Sequence, residues 1–125
     1  QLISNSILLN HKNIRRLLNS VGGRHVLVIQ PFYGLHNGVN PDFLSYPAEH
    51  YKLIRNVISL VLASDFCQQD CIDLSNAFDK HPEGVSIMYG YTKDEPVNYV
   101  FADEIHLTDK GVQYISNLLA KKILE

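Results

Sequence analysis

Between residues 2 and 20 the apolar positions Ile3, Ile7, Leu8, Ile14, Leu17, Leu18 and Val21 recur every three or four residues, with Asn, His, Lys and Arg between them. That spacing predicts an amphipathic helix whose apolar stripe faces a core. Gly22-Gly23 should stop it, because glycine readily takes the left-handed turn that closes a helix. The next stretch, HVLVIQ at 25–30, is continuously apolar in its middle and ends at Pro31, which predicts a strand buried on both faces. Gly34, Asn37-Gly38 and Asn40-Pro41 then crowd residues 32–46 with turn formers, so a long surface loop is expected there. Pro47 and Glu49 suit the first turn of a second helix, and Tyr51, Ile54, Ile58, Val61 and Leu62 give it one apolar face to about residue 63.

CIDL at 71–74 reads as a second short strand, and residues 75–101 have little periodicity. An aperiodic stretch of that length inside a domain usually serves a function or lacks order. A last helix is predicted over 108–124: Thr108 is its N-cap, Asp109 favours the positive end of its dipole, and Val112, Ile115, Leu119 and Ile123 share a face. Lys121 and Lys122 complement the other end of that dipole.

The order helix, strand, helix, strand, helix implies an α/β fold with a parallel sheet covered by helices. Two strands are few for a three-layer sheet of that kind, so further strands N-terminal to Gln1 are expected. With 125 residues, 46% hydrophobic and 19% charged, the chain has the size and balance of one globular domain or part of one. The expectation is therefore the C-terminal part, residues 1–125, of a single domain. A formal net charge of −2 with charges scattered along the chain argues against a nucleic-acid or other polyanionic partner. The longest apolar runs fall short of the roughly 20 residues that a membrane span needs.

Chemistry concentrates in FADEIHLTDKG at 101–111, where Asp103 and His106 are three residues apart just before the last helix. In a tight loop this spacing lets the carboxylate accept a hydrogen bond from Nδ1 of the imidazole. That bond fixes the tautomer and leaves Nε2 able to take a proton from a hydroxyl. The block FADEIHLTDKGVQYISNLLAKKIL resembles the closing segment of the SGNH (GDSL-like) hydrolases, with the pattern D-x-x-H-L-x-x-x-G leading into the final helix. The strands VLVIQP and CIDLSNAF are similar in order and place to strands of that family, though as buried strands they are less specific.

The resemblance implies a flavodoxin-like three-layer sheet flanked by helices, with the N-terminal strands lacking, and a serine esterase acting on lipid acyl esters or O-acetylated carbohydrates. His106 would be the general base and Asp103 its orienting acid. No metal or organic cofactor is implied, and the partner is a small-molecule ester. The family's Gly-Asp-Ser-like block and its oxyanion-hole glycine and asparagine have no counterpart in these 125 residues. The 125 residues alone are therefore expected to be inactive. A reading from another class is a non-catalytic α/β interaction or carbohydrate-binding domain, in which Asp103 and His106 only organise the start of the last helix.

Phe32, Tyr33 and His36 follow the end of the first strand, the edge where open parallel sheets bind ligands. Phe32 and Tyr33 are candidate substrate-binding residues, against the simpler expectation that these aromatics cover the core. Tyr89, Tyr91 and Tyr99 could form a substrate wall or merely fasten the long loop. Ser45, Ser64, Ser75 and Ser86 read as turn or helix-end residues, and no G-x-S-x-G elbow occurs. Cys67 and Cys71 are expected to be small, partly buried thiols, with a single disulfide as the other possibility and a cysteine nucleophile as a remote one. His11, His25, His50 and His81 lack metal-binding spacing and are expected at the surface or internally satisfied.

Overall fold

The structure, a computed structural model, describes residues 1–82, 84–87 and 99–124. It contains α1 (Leu2–Asn19), β1 (Leu27–Ile29), α2 (Ala48–Leu62), α3 (Cys67–Asp70), β2 (Cys71–Asp73) and α4 (Asp109–Leu124), with single 3-10 turns at Tyr33–Leu35, Pro41–Phe43 and Ala77–Lys80. The helices and strands thus stand where the hydrophobic pattern places them, and α3 is an addition. The chain forms two compact units, one of Gln1–Ile29 with Ala48–Asp73 and one of Gln30–Pro47 with Leu74–Glu125.

In the first unit β1 and β2 pair in parallel, Leu27 opposite Cys71, Val28 opposite Ile72 and Ile29 opposite Asp73. Leu27, Val61, Phe66 and Cys67 form its buried cluster, with Ile7, Leu8, Ile29, Leu62 and Cys71 packed around them. Helix α1 packs on α2 and ends at Gly22, whose φ of +75° is one that side-chain-bearing residues rarely adopt. There the Gly23 N–H donates to the Leu18 carbonyl at 2.8 Å and the Gly22 N–H to that of Asn19 at 3.2 Å. This pair of bonds satisfies carbonyls that the helix end would otherwise orphan.

The face that α1 turns to the core is not its apolar stripe. Ile3, Ile14, Leu17 and Val21 are exposed, the last two by 70% and 78%. Ser4, His11 and Arg15 lie on the inner side with Ile7 and Leu8. The polar residues can lie there because each has partners: Ser4 Oγ donates to the Gln1 carbonyl at 2.8 Å, and Arg15 donates to the Phe66 carbonyl at 3.1 Å. Arg15 also pairs with Asp70 at 2.6 Å and lies 3.7 Å above the Phe66 ring.

Nδ1 of His11 and Nε2 of His25 are 2.8 Å apart, and the two ring planes differ by 21°. One ring must donate and the other accept, so the bond survives only while a proton is missing from the pair. Burial first, then the neighbouring His25, lowers the pKa of His11 from its usual value. A base whose folded pKa is depressed stabilises the fold above its ordinary pKa, about 6.5 for histidine, and loses that contribution as pH falls through that value and on towards the folded one. The urea midpoint of the chain should therefore fall between about pH 7.5 and about pH 5.5. His11→Gln should flatten that part of the profile; an unchanged profile would show that the pair does not titrate on unfolding.

Cys67 and Cys71 are joined in a disulfide, which corrects the expectation of two separate thiols. The four-residue helix α3 carries one cysteine at its start and the strand β2 opens with the other, so the turn of helix brings their side chains together. The bond also removes either sulfur as a nucleophile.

In the second unit Tyr33, Phe78, Ile87, Val100 and Phe101 are the buried cluster, and Val39, Phe43, Leu44, Val85, Leu107, Tyr114 and Ile115 pack against it. Phe78 and Phe101 meet edge to face, with ring centres 5.1 Å apart. Phe101 makes a parallel bridge with Ile87 and an antiparallel one with Leu107, so the chain doubles back on itself around a buried aromatic. Among the described residues no helix is long and apolar enough to cross a membrane.

Candidate active site

The antiparallel bridge between Phe101 and Leu107 closes a five-residue turn at 102–106. The Ala102 N–H donates to the His106 carbonyl across its base at 2.8 Å. Phe101 is wholly buried and Leu107 packs against the same cluster, so the two ends of the turn are anchored in the core. Its tip is left at the surface. Beyond it, Thr108 caps α4: its Oγ1 accepts from the Gly111 N–H at 3.2 Å, and its own hydroxyl donates to the Tyr99 carbonyl.

Within this turn Asp103 and His106 meet as the sequence spacing anticipates. Nδ1 of His106 donates to Asp103 Oδ2 at 2.7 Å, which fixes the ring proton on Nδ1. The other carboxylate oxygen, Oδ1, accepts from the backbone N–H groups of Ile105 and His106, each at 2.8 Å. The His106 amide, the Ile105 amide and then the His106 ring hold the Asp103 carboxyl down to a pKa of about 2, against a small opposing effect of burial. Hydrogen bonds to the ionised form are what favour it. The carboxylate therefore keeps its charge throughout the neutral range, and its contribution to the fold is present above about pH 4 and lost towards about pH 2. Among the described residues Nε2 of His106 has no hydrogen-bond partner, and the side chain is 76% exposed.

His106 and Asp103 line a recess of about 270 Å³ together with Ser45, Tyr46, Glu104 and Ile105. Chemically, an imidazole with a fixed tautomer, an ionised carboxylate behind it and an open Nε2 at a recess can accept a proton from a hydroxyl and return it to a leaving group.

The residues proposed from sequence as substrate contacts fare differently. Phe32 and Tyr33 are not among the residues that line this recess. Tyr33 is only 2% exposed, packs edge to face on Phe101 and accepts at its hydroxyl from the Asn40 N–H at 3.0 Å; it is core. Phe32 offers its carbonyl, 2.9 Å away, to His36 Nδ1. His36 is itself buried, with Nε2 accepting from the Phe78 N–H at 3.2 Å, so it braces the core as a neutral ring. Tyr99 serves the cap of α4 through its carbonyl, and Tyr89 and Tyr91 lie outside the described residues.

The sequence did not single out Glu104, which is buried although both of its neighbours are exposed. Its Oε1 accepts from the Ser45 N–H at 2.8 Å, and its backbone carbonyl accepts from the Tyr33 N–H at 2.9 Å. No local pattern marks these contacts, because their partners lie far away along the chain. No protein-family model, curated protein or solved structure matches this chain.

Proposed function

We propose that the chain supplies the acid and base of a serine ester hydrolase resembling the SGNH type, acting on lipid acyl esters or O-acetylated carbohydrates. The observation that carries this reading is the 2.7 Å bond from His106 Nδ1 to Asp103, made by a ring whose other nitrogen is open at a recess. The parallel pairing of β1 with β2 is compatible with two strands of a larger three-layer sheet, and such a sheet is part of the proposal.

In this mechanism a serine hydroxyl from polypeptide outside these 125 residues attacks the ester carbonyl while its proton passes to Nε2 of His106. Asp103 stays ionised and stabilises the imidazolium. The tetrahedral intermediate collapses as Nε2 returns the proton to the departing alcohol, leaving an acyl-serine. Water, deprotonated by the same nitrogen, then attacks the acyl carbon, and the serine leaves with the proton.

A fluorophosphonate probe tests the reading, since it modifies a serine that a neighbouring base activates. The intact protein should be labelled at a single serine and should hydrolyse p-nitrophenyl acetate or a longer-chain ester. Absence of both labelling and turnover would leave the pair as a scaffold for the start of α4, the role it would have in a binding domain.

A further inference from the structure

We propose that Glu104 is a positioning residue that builds the ester-binding recess by fastening the Ser45–Tyr46 wall to the acid-base turn, and that the recess takes the small apolar or aryl part of an ester. This rests on the hydrolase reading of the same site. The turn has two kinds of bond, and they do separate jobs. Those from the Asp103 carboxylate to the Ile105 amide, the His106 amide and the His106 ring all lie inside the turn. They fix the acid against the base without help from the 33–45 segment.

Among the described residues, the bonds that leave the turn are those of Glu104. Its carbonyl holds the Tyr33 N–H and its carboxylate holds the Ser45 N–H, so one residue ties the turn to both ends of the 33–45 segment. Glu104 is 5% exposed, and a hydrogen bond withdrawn from water is a stronger tether than a surface contact. The recess is what lies between the tethered parts. Tyr46 is 54% exposed and Ile105 48%, so one aromatic and one aliphatic side chain flank His106 with apolar surface open to a ligand. An apolar lining with a few fixed polar groups is the usual make-up of a small-molecule site. The ionised Asp103 and the buried Glu104 beside it disfavour an anionic substrate group at this position.

The division of labour gives a test that separates positioning from catalysis. In the 125-residue chain, Glu104→Ala should shift the amide resonances of Ser45 and Tyr46 while the imidazole ¹⁵N shifts of His106 still report the Nδ1–H tautomer. Glu104→Gln keeps an acceptor at Oε1 and should return both amides close to their original positions. In the intact protein, Glu104→Ala should raise KM for phenyl acetate about tenfold, the loss expected for one buried hydrogen bond, with kcat within about twofold. Glu104→Gln should restore KM. The proposal is overturned if the Ser45 and Tyr46 resonances do not move, if the His106 tautomer is lost with Glu104, or if kcat falls while KM holds. Should the intact wild-type protein turn over no ester, the hydrolase reading fails, and the resonance shifts still decide whether Glu104 holds the wall.

Discussion

His106→Ala in the intact protein is expected to lower kcat for ester hydrolysis by about six orders of magnitude, with KM little changed. The magnitude follows from the role proposed for the ring, removing the hydroxyl proton and returning it to the leaving alcohol, since loss of such a base leaves only the catalysis that binding and oxyanion stabilisation provide. The split between kcat and KM follows from geometry, because the recess walls at Ser45, Tyr46, Glu104 and Ile105 survive the change. Folding should survive too. The side chain is 76% exposed, and after its removal Asp103 still accepts from two backbone amides.

Asp103→Asn should act in the same direction, because an amide oriented by those same N–H groups would present its NH2 to Nδ1 and favour the wrong tautomer. Since the Asp103 carboxyl is held at about 2, any loss of rate on acidification above about pH 4 has a cause other than protonation of this carboxylate. Wild-type turnover by His106→Ala would remove the pair from the mechanism.

How much of this was legible beforehand depends on whether the causes are local. The Asp103–His106 bond is closed within four residues, so the spacing allowed it, and the resemblance of the surrounding block is what singled it out. The cap at Thr108 and the stop at Gly22 are likewise made by neighbours in sequence. Helix α1 was placed correctly, yet its buried face was not, because the hydrophobic pattern could not foresee that His11 would meet His25 and Arg15 would meet Asp70. Each of those contacts makes a polar side chain tolerable inside and leaves an apolar one outside.

The core of the second unit was hidden for a related reason. Phe78 sits in an aperiodic stretch, and although Tyr33 and His36 were expected to cover the core, they sit among turn formers that give no sign of what they meet. Only the return of the chain at Phe101 collects them. The disulfide stood only as the second reading because a C-x3-C spacing is compatible with separate thiols until a short helix brings the two together. Glu104 escaped because a glutamate beside two exposed residues reads as solvated, and its partners, Tyr33 and Ser45, are remote in sequence.

Gly111→Ala is expected to destabilise the second unit, although it replaces a residue that weakens helices with the one that favours them most. In an isolated helix that exchange gains roughly 1 kcal/mol. Here the first turn of α4 lies against residues 99–101. The Thr108 N–H donates to the Val100 carbonyl at 3.1 Å, and a Cβ added at Gly111 would fall well inside contact distance of that same carbonyl oxygen, 3.1 Å from its carbon and 3.2 Å from the Leu107 Cβ. The obstacle is backbone belonging to a residue with no exposed surface, so no side-chain rotation relieves it.

Helix α4 would have to draw back, releasing Thr108 from Val100 and Leu107 from Phe101, and with them the base of the 102–106 turn. Overpacking against fixed backbone costs about 3 kcal/mol or more, leaving a net loss of about 2 kcal/mol after the gain in helix propensity. Thr108→Ala, which removes the cap and the hydroxyl's bond to the Tyr99 carbonyl, should cost about 1 kcal/mol. The two variants are ranked by urea midpoint, and Gly111→Ala should also lose the Nδ1–H tautomer signature of His106 as the turn loosens. A Gly111→Ala chain as stable as the original would mean that α4 does not approach Val100 this closely, and the turn that presents His106 would then need another anchor.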